Sequence, residues 1–221
     1  MLLLCDRKVL EKPIAECGES LADFREYRPD ILVDLSRQQI GSRSDAFLKA
    51  RQTVVEKVLS TSKNLPIGIK FLIKEAYRPP HLQQRFFDSY CAVLEERHPE
   101  YSSEEIFRDA SKYVSPVAVA PHPTGGAVDL TLAWDDGTEL DMGTRFNASP
   151  TETQNACFTS ATNISNQARS NREILIFTLR GAGMANYPTE WWHWSFGDKY
   201  WAVVMNEDYA VYDALEEKDL I

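Results

Sequence analysis

Between Pro121 and Leu132 the chain reads PHPTGGAVDLTL, which sets an imidazole, His122, seven residues before a carboxylate, Asp129. Both are ligand types for a divalent metal, and a catalytic zinc usually has three protein ligands and one open position. The chain has four histidines, His81, His98, His122 and His193. His193 lies in TEWWHWSF, three residues after Glu190. A second imidazole, and a carboxyl able to move a proton, would complete a set for metal-assisted hydrolysis. Singly, each residue has a plainer reading. His122 could be a loop residue beside Pro and Gly, Asp129 a turn or sheet-edge residue, and Glu190 a surface charge. The order is more specific than its parts: H-x-x-G-x-A-x-D, then about sixty residues, then E-x-W-H.

Local elements must bring these groups together. Gly takes positive φ at little steric cost, so Gly125 and Gly126 are expected to let the chain turn back between His122 and Asp129. They would also leave room for a metal and a substrate, with Ala127 keeping the approach clear. In AVDLTLAW (127–134), side chains alternate across a strand. Val128, Leu130, Leu132 and Trp134 are expected to pack on the core, and Asp129 to face the other way with Ala127, Thr131 and Ala133. Glu190 and His193 would point to opposite faces of a flat strand, which places Glu190 in the turn after Pro188.

The remaining periodicities frame this strand. A helical pattern starts at Ser44, as a cap, and runs through Phe47, Ala50, Val54, Val55 and Val58 to a stop at Asn64-Leu65-Pro66. IGIKFLIKEAYRPP reads as a strand stopped by Pro79 and Pro80. Helices follow over about 81–97, with Leu82, Phe86, Tyr90, Val93 and Leu94 inward, and from a Ser102–Glu105 capping box to about Val114. Residues 150–165 read as polar loop, and a last helix covers 165–179 with Gly181 or Gly183 past its end. TEWWHWSF and KYWAVVM flank Gly197-Asp198 as a hairpin. The expected fold is α+β: a small, largely antiparallel sheet flanked by helices on one side. One domain is expected over 1–221, with residues 1–43 irregular.

Bulk properties exclude several functions. The net charge of -9 disfavours a phosphate-backbone or membrane-surface partner. No apolar run approaches the roughly 18 residues of a membrane span, and MLLLCDRKVL lacks the basic start and apolar length of a secretion signal. A cytoplasmic location is therefore expected, and a homo-oligomer is compatible with the sequence. Cys5, Cys17, Cys91 and Cys157 form no C-x-x-C pair, so reduced thiols that pack as small hydrophobes are expected.

From about Phe71 to Ala202 the segments EAYRPPHLQQ, HPTGGAVDLTL, DMGTRFN and NYPTEWWHWSFGDKYWA come in an order that resembles the D-alanyl-D-alanine dipeptidases of the VanX type. These belong to the zinc D-Ala-D-Ala peptidases, which share a fold with the hedgehog signalling domain. The resemblance implies one zinc ion per chain on His122, Asp129 and His193, with Glu190 as general base and acid and Arg78 facing the scissile carbonyl. The substrate it implies is a small dipeptide such as D-Ala-D-Ala, which a small closed pocket would suit; Trp191, Trp192, Trp194 and Trp201 are expected as hydrophobic core and pocket wall. Tyr77, Ala120, Asn147 and Trp192 are the candidate substrate contacts. Two positions depart from the family pattern: Ala120 stands where Ser is typical, and Asn147 where Asp is typical. Asn keeps hydrogen bonding but loses the charge that would hold a free ammonium. Two other functions fit the same residues. One is a carboxypeptidase or endopeptidase on peptidoglycan stem peptides. The other is a zinc-stabilised binding protein impaired in catalysis, against which the presence of both Glu190 and Arg78 speaks.

Overall fold

The strand that carries Asp129 lies at the middle of the main sheet. The computed structural model describes residues 1–36 and 45–220. Strand β5 follows helix α1 (Arg7–Leu10), strands β1 (Leu21–Asp23), β2 (Leu32–Val33) and β3 (Lys49–Arg51), helix α2 (Gln52–Ser62), strand β4 (Ile69–Glu75), and helices α3 (Pro80–Arg97) and α4 (Ser103–Ala110). After β5 (Ala127–Trp134) come helices α5 (Pro150–Thr153) and α6 (Asn166–Gly181), strands β6 (Ala185–Asn186) and β7 (His193–Ser195), and helix α7 (Lys199–Val204). The five-stranded sheet has the order β2-β4-β5-β7-β6. Its pairs are antiparallel except β2 with β4. The α+β architecture and the mostly antiparallel sheet are as expected.

Alternation along β5 decides what each face does. Val128, Leu130 and Leu132 join Phe71, Ile73, Trp191, Trp194, Val54, Val55, Val58, Leu175 and Leu179 in one buried cluster, so α2 and α6 cover this face. Thr61 on α2 ties the two helices by donating to the Thr178 carbonyl at 2.9 Å. Trp134, expected in the same stripe, is about half exposed at the strand end. The opposite face carries Asp129, and there α3 and the segment after α4 border a cavity instead of closing a core. Those two helices have their own small cluster of Phe87, Leu94, Ile106 and Ala110. Helices therefore lie on both sides of the sheet. On α3, Phe87 is buried and Val93, expected inward, is exposed, because α3 turns its apolar stripe toward α4. The Ser102–Glu105 capping box is present, but the helix ends at Ala110.

Several expectations are corrected. The helix expected from Ser44 begins at Gln52; Ser44 itself lies outside the described residues. Lys49–Arg51 pair with β1 in a separate ribbon. Buried Arg51 secures that ribbon by donating Nε–H to the Thr124 carbonyl at 2.8 Å and pairing with Glu16 at 3.0 Å. The N-terminal part is thus less irregular than expected, since it holds α1, β1 and β2. The 150–165 segment contains the short helix α5, capped by Ser149. KYWAVVM is helix α7, not the second strand of a hairpin. Asp198 accepts from the N–H of Tyr200 at 2.8 Å and of Trp201 at 3.2 Å, satisfying the first orphan donors of that helix. Of the cysteines, only Cys157 is buried, and Cys17 is exposed. Among the described residues no helix is long and apolar enough to cross a membrane.

Candidate metal centre

Strand register assembles the site. Asp129 on β5 stands opposite His193 on β7 and opposite Glu75 on β4. Directly opposed residues share a sheet face, so three functional side chains point the same way. The pairing with β4 needs an irregularity. Ile73 faces Leu130 and Glu75 faces Asp129, which leaves Lys74 as an extra residue. Such a bulge re-aims side chains. In an uninterrupted ladder Lys74 would occupy the place opposite Asp129. Instead its ammonium pairs with Asp34 at 2.8 Å and with Glu139, and the Glu75 carboxylate enters the site.

His122 arrives from the short turn before β5. Its Nδ1–H donates to the Ala76 carbonyl at 2.5 Å, which leaves the Nε2 lone pair facing Asp129 Oδ1 at 3.4 Å. His193 Nδ1 lies 2.9 Å from the same oxygen. The two rings meet edge to face with centroids 4.9 Å apart. One ligand atom from each of His122, Asp129 and His193 lies within 4.8 Å of the others, and all three residues are buried. Burial alone would raise the Asp129 carboxyl, but His122 and His193 outweigh it and hold it far below the usual range.

The glycines answer a different need from the one expected. Gly125 has φ +70°, and a Cβ there would lie 2.6 Å from Leu21 Cδ2; a Cβ on Gly126 would lie 2.6 Å from the Phe196 carbonyl oxygen. They allow the backbone to pack tightly against β1 and the turn after β7. Neither glycine lines the cavity, and Ala127 is fully buried beside Ser195 rather than bordering an approach path.

A cavity of about 300 Å³ opens onto the cluster, at the small end of the roughly 300–1,000 Å³ of ligand pockets. Glu190 borders it from the turn after Pro188, where its N–H donates to the Tyr187 carbonyl at 3.0 Å. Burial pushes the Glu190 carboxyl up to about 7; the negative Asp129 adds to this, while His193 and Arg78 pull against it. Arg78 reaches the cavity from the segment after β4. Its Nε–H and Nη2–H donate to the two Glu75 oxygens at 2.7 and 2.8 Å, and its Nη1–H donates to Gln83 Oε1 at 2.8 Å. Gln83 is itself fixed on the Ser115 carbonyl at 2.7 Å. Burial would raise the Glu75 carboxyl, yet Arg78 holds it below its ordinary value.

Ala120 and Asn147 also line the cavity. Tyr77 and Trp192 are not among its lining residues. Tyr77 is buried and donates its hydroxyl to the Leu215 carbonyl at 2.7 Å, and Trp192 packs edge to face on Phe146 at 5.6 Å. The aromatic lining is Phe86, Tyr113 and Tyr187, not tryptophan, because Trp191, Trp192 and Trp194 fill the main core. His81 is exposed on α3, and His98 stacks on Tyr101, both outside the cluster. Sequence reasoning missed Glu75, whose signal was its position three residues before Arg78, and Tyr187.

Two imidazole nitrogens and one carboxylate oxygen are a donor set suited to zinc, and the pinned Nδ1 of His122 leaves its other nitrogen available to the ion. Such donors, open to a cavity that also presents a carboxyl and a guanidinium, are the pattern of metal-assisted hydrolases. The chain belongs to the D-Ala-D-Ala dipeptidase family of peptidases, whose family model matches residues 35–213. A D-alanyl-D-alanine dipeptidase of Synechocystis sp. is 29% identical over 220 residues, covering 88% of this chain and 89% of the relative. A D-alanyl-D-alanine dipeptidase of Escherichia coli is 30% identical over 127 residues, covering 57% of this chain and 54% of the relative. Among solved structures, the LdcB LD-carboxypeptidase has a TM-score of 0.46 at 16% identity, covering 89% of this chain and 76% of that one.

Proposed function

We propose that the protein hydrolyses D-Ala-D-Ala or a similar small D-amino-acid dipeptide, with one zinc ion per chain held by His122 Nε2, Asp129 and His193 Nδ1. The observation that carries this reading is the convergence of three buried donors beside a cavity that also presents Glu190 and Arg78. When bound, the zinc ion supplies a water of pKa near 7 as nucleophile and polarises the scissile carbonyl. Glu190 takes the proton released at the nucleophile on a carboxylate oxygen and hands it to the leaving amine. Its position in a turn, off the flat strand, is what allows it to share a cavity with His193. Arg78 stabilises the negative charge that grows on the carbonyl oxygen, a role worth roughly 3–4 kcal/mol in oxyanion sites. Glu75 and Gln83 hold the guanidinium in one orientation, so little reorganisation is needed as that charge develops. Asn147 offers hydrogen bonds without charge to the substrate's free amine, and Ala120 offers only shape.

The test is to incubate zinc-loaded protein with D,D-, L,D- and L,L-dipeptides and a longer stem peptide. The expected result is cleavage of D-Ala-D-Ala, with the L,L-dipeptide and the stem peptide left intact. Cleavage of the stem peptide alone would replace this reading with the carboxypeptidase one. Full activity in Glu190→Gln would remove Glu190 from the mechanism.

A further inference from the structure

Three buried polar atoms, one on His193 itself and two on residues that follow it, lack hydrogen-bond partners among the described residues. Ser195 follows His193 by two residues on β7, so their side chains share a face. Asp198 comes after the next turn and uses Oδ1 to cap α7, on the N–H groups of Tyr200 and Trp201. Its second oxygen caps nothing. His193, Ser195 and Asp198 are 4%, 0% and 1% exposed. His193 Nε2, Ser195 Oγ and Asp198 Oδ2 are buried and have no hydrogen-bond partner among the described residues. Asp198 stands only three residues beyond Ser195, at the start of the helix that directly follows β7, so the short turn after the strand joins the three residues.

A buried polar group left unpaired costs about 1–3 kcal/mol. The need is sharper if His193 ligates through Nδ1, because the ring proton then sits on Nε2 and requires an acceptor. One water would satisfy the set, by accepting from Nε2–H and donating one hydrogen to Asp198 Oδ2 and the other to Ser195 Oγ. Buried waters typically make about three such bonds. We infer that Asp198, through a buried water shared with Ser195, is a positioning residue that holds His193 in the tautomer turning its Nδ1 lone pair to the metal. The inference rests on the metal reading of His122, Asp129 and His193.

Asp198→Asn separates this role from simple helix capping. Asn caps a helix about as well as Asp, but its amide N–H₂ replaces the acceptor that the water needs. Zinc affinity of the full chain is measured by competition with a chelator, beside the His193 Nε2–H resonance of the zinc-loaded protein. The expected result is 1:1 zinc uptake by the wild type, with affinity roughly 10–100-fold weaker in the variant, as for other outer partners of metal-bound histidine. The Nε2–H signal should also lose its protection from exchange. Ser195→Ala leaves the cap untouched and should weaken zinc in the same direction, which keeps the test alive if Asp198→Asn does not fold. Wild-type uptake with affinities within about twofold in both folded variants, and an unmoved Nε2–H signal, would overturn the inference alone. No zinc uptake by the wild type would remove the metal reading and this inference together.

Discussion

Glu190→Gln should stabilise the metal-free protein while abolishing its activity. Burial lifts the Glu190 carboxyl from its ordinary 4.5 to about 7. At about 1.36 kcal/mol per pH unit, that gap of 7 minus 4.5 corresponds to a ceiling of about 3 kcal/mol. The side chain is only partly buried at the cavity edge, so solvent screening reduces the expected effect to roughly 1–2 kcal/mol. The sign follows from linkage. Between these two values the folded chain keeps a proton that the unfolded chain has released, so stability is fully present below about 4.5 and is lost as pH rises through about 7. Gln cannot ionise and escapes that loss. The assay is urea unfolding of both chains in excess chelator at pH 4 and pH 8. The variant should match the wild type at pH 4 and exceed it by roughly 1–2 kcal/mol at pH 8. Zinc should narrow the gap at pH 8, because a nearby cation favours the ionised carboxylate. A gap that is equal at both pH values, or a variant less stable at pH 8, would refute the placement of Glu190 in a desolvated site.

Other perturbations test other parts of the structure. Glu75→Gln leaves Arg78 without its two-pronged partner and should cost about 3 kcal/mol in urea unfolding, with kcat falling more than KM rises. Asn147→Asp restores a negative charge at the cavity and should raise kcat/KM for D-Ala-D-Ala several-fold, by roughly 1 kcal/mol; no gain in steady-state assays would show that Asn147 does not meet the substrate's ammonium. Gly126→Ala drives a Cβ against the Phe196 carbonyl oxygen and should lower stability by roughly 1–3 kcal/mol, read as a drop in thermal midpoint.

What could be read in the sequence was what is local. His122, Asp129, Glu190 and His193 lie in two short motifs whose spacing holds in the fold, and β5 follows its period-2 alternation along most of its length. The Ser102 cap was equally plain, since a cap is a contact within one turn. The misses involve partners distant in sequence. KYWAVVM alternates like a strand, and only the Asp198 cap, with burial of Tyr200 and Trp201, makes it a helix. Lys49–Arg51 became a strand because β1 was there to pair with it. Glu75 depends on a bulge at Lys74, whose ammonium pairs with Asp34 and Glu139, both distant in the chain, so no local pattern marks it. The tryptophans read as both core and pocket wall; Trp191, Trp192 and Trp194 are core, and none lines the cavity.

The most direct measurement is an anomalous-scattering map at the zinc edge from crystals of the zinc-loaded protein. The expected result is one strong peak per chain about 2.0–2.2 Å from His122 Nε2, an Asp129 carboxylate oxygen and His193 Nδ1. A map with no peak between those three side chains, or with its zinc bound elsewhere, would contradict the reading of this cluster as the catalytic metal centre.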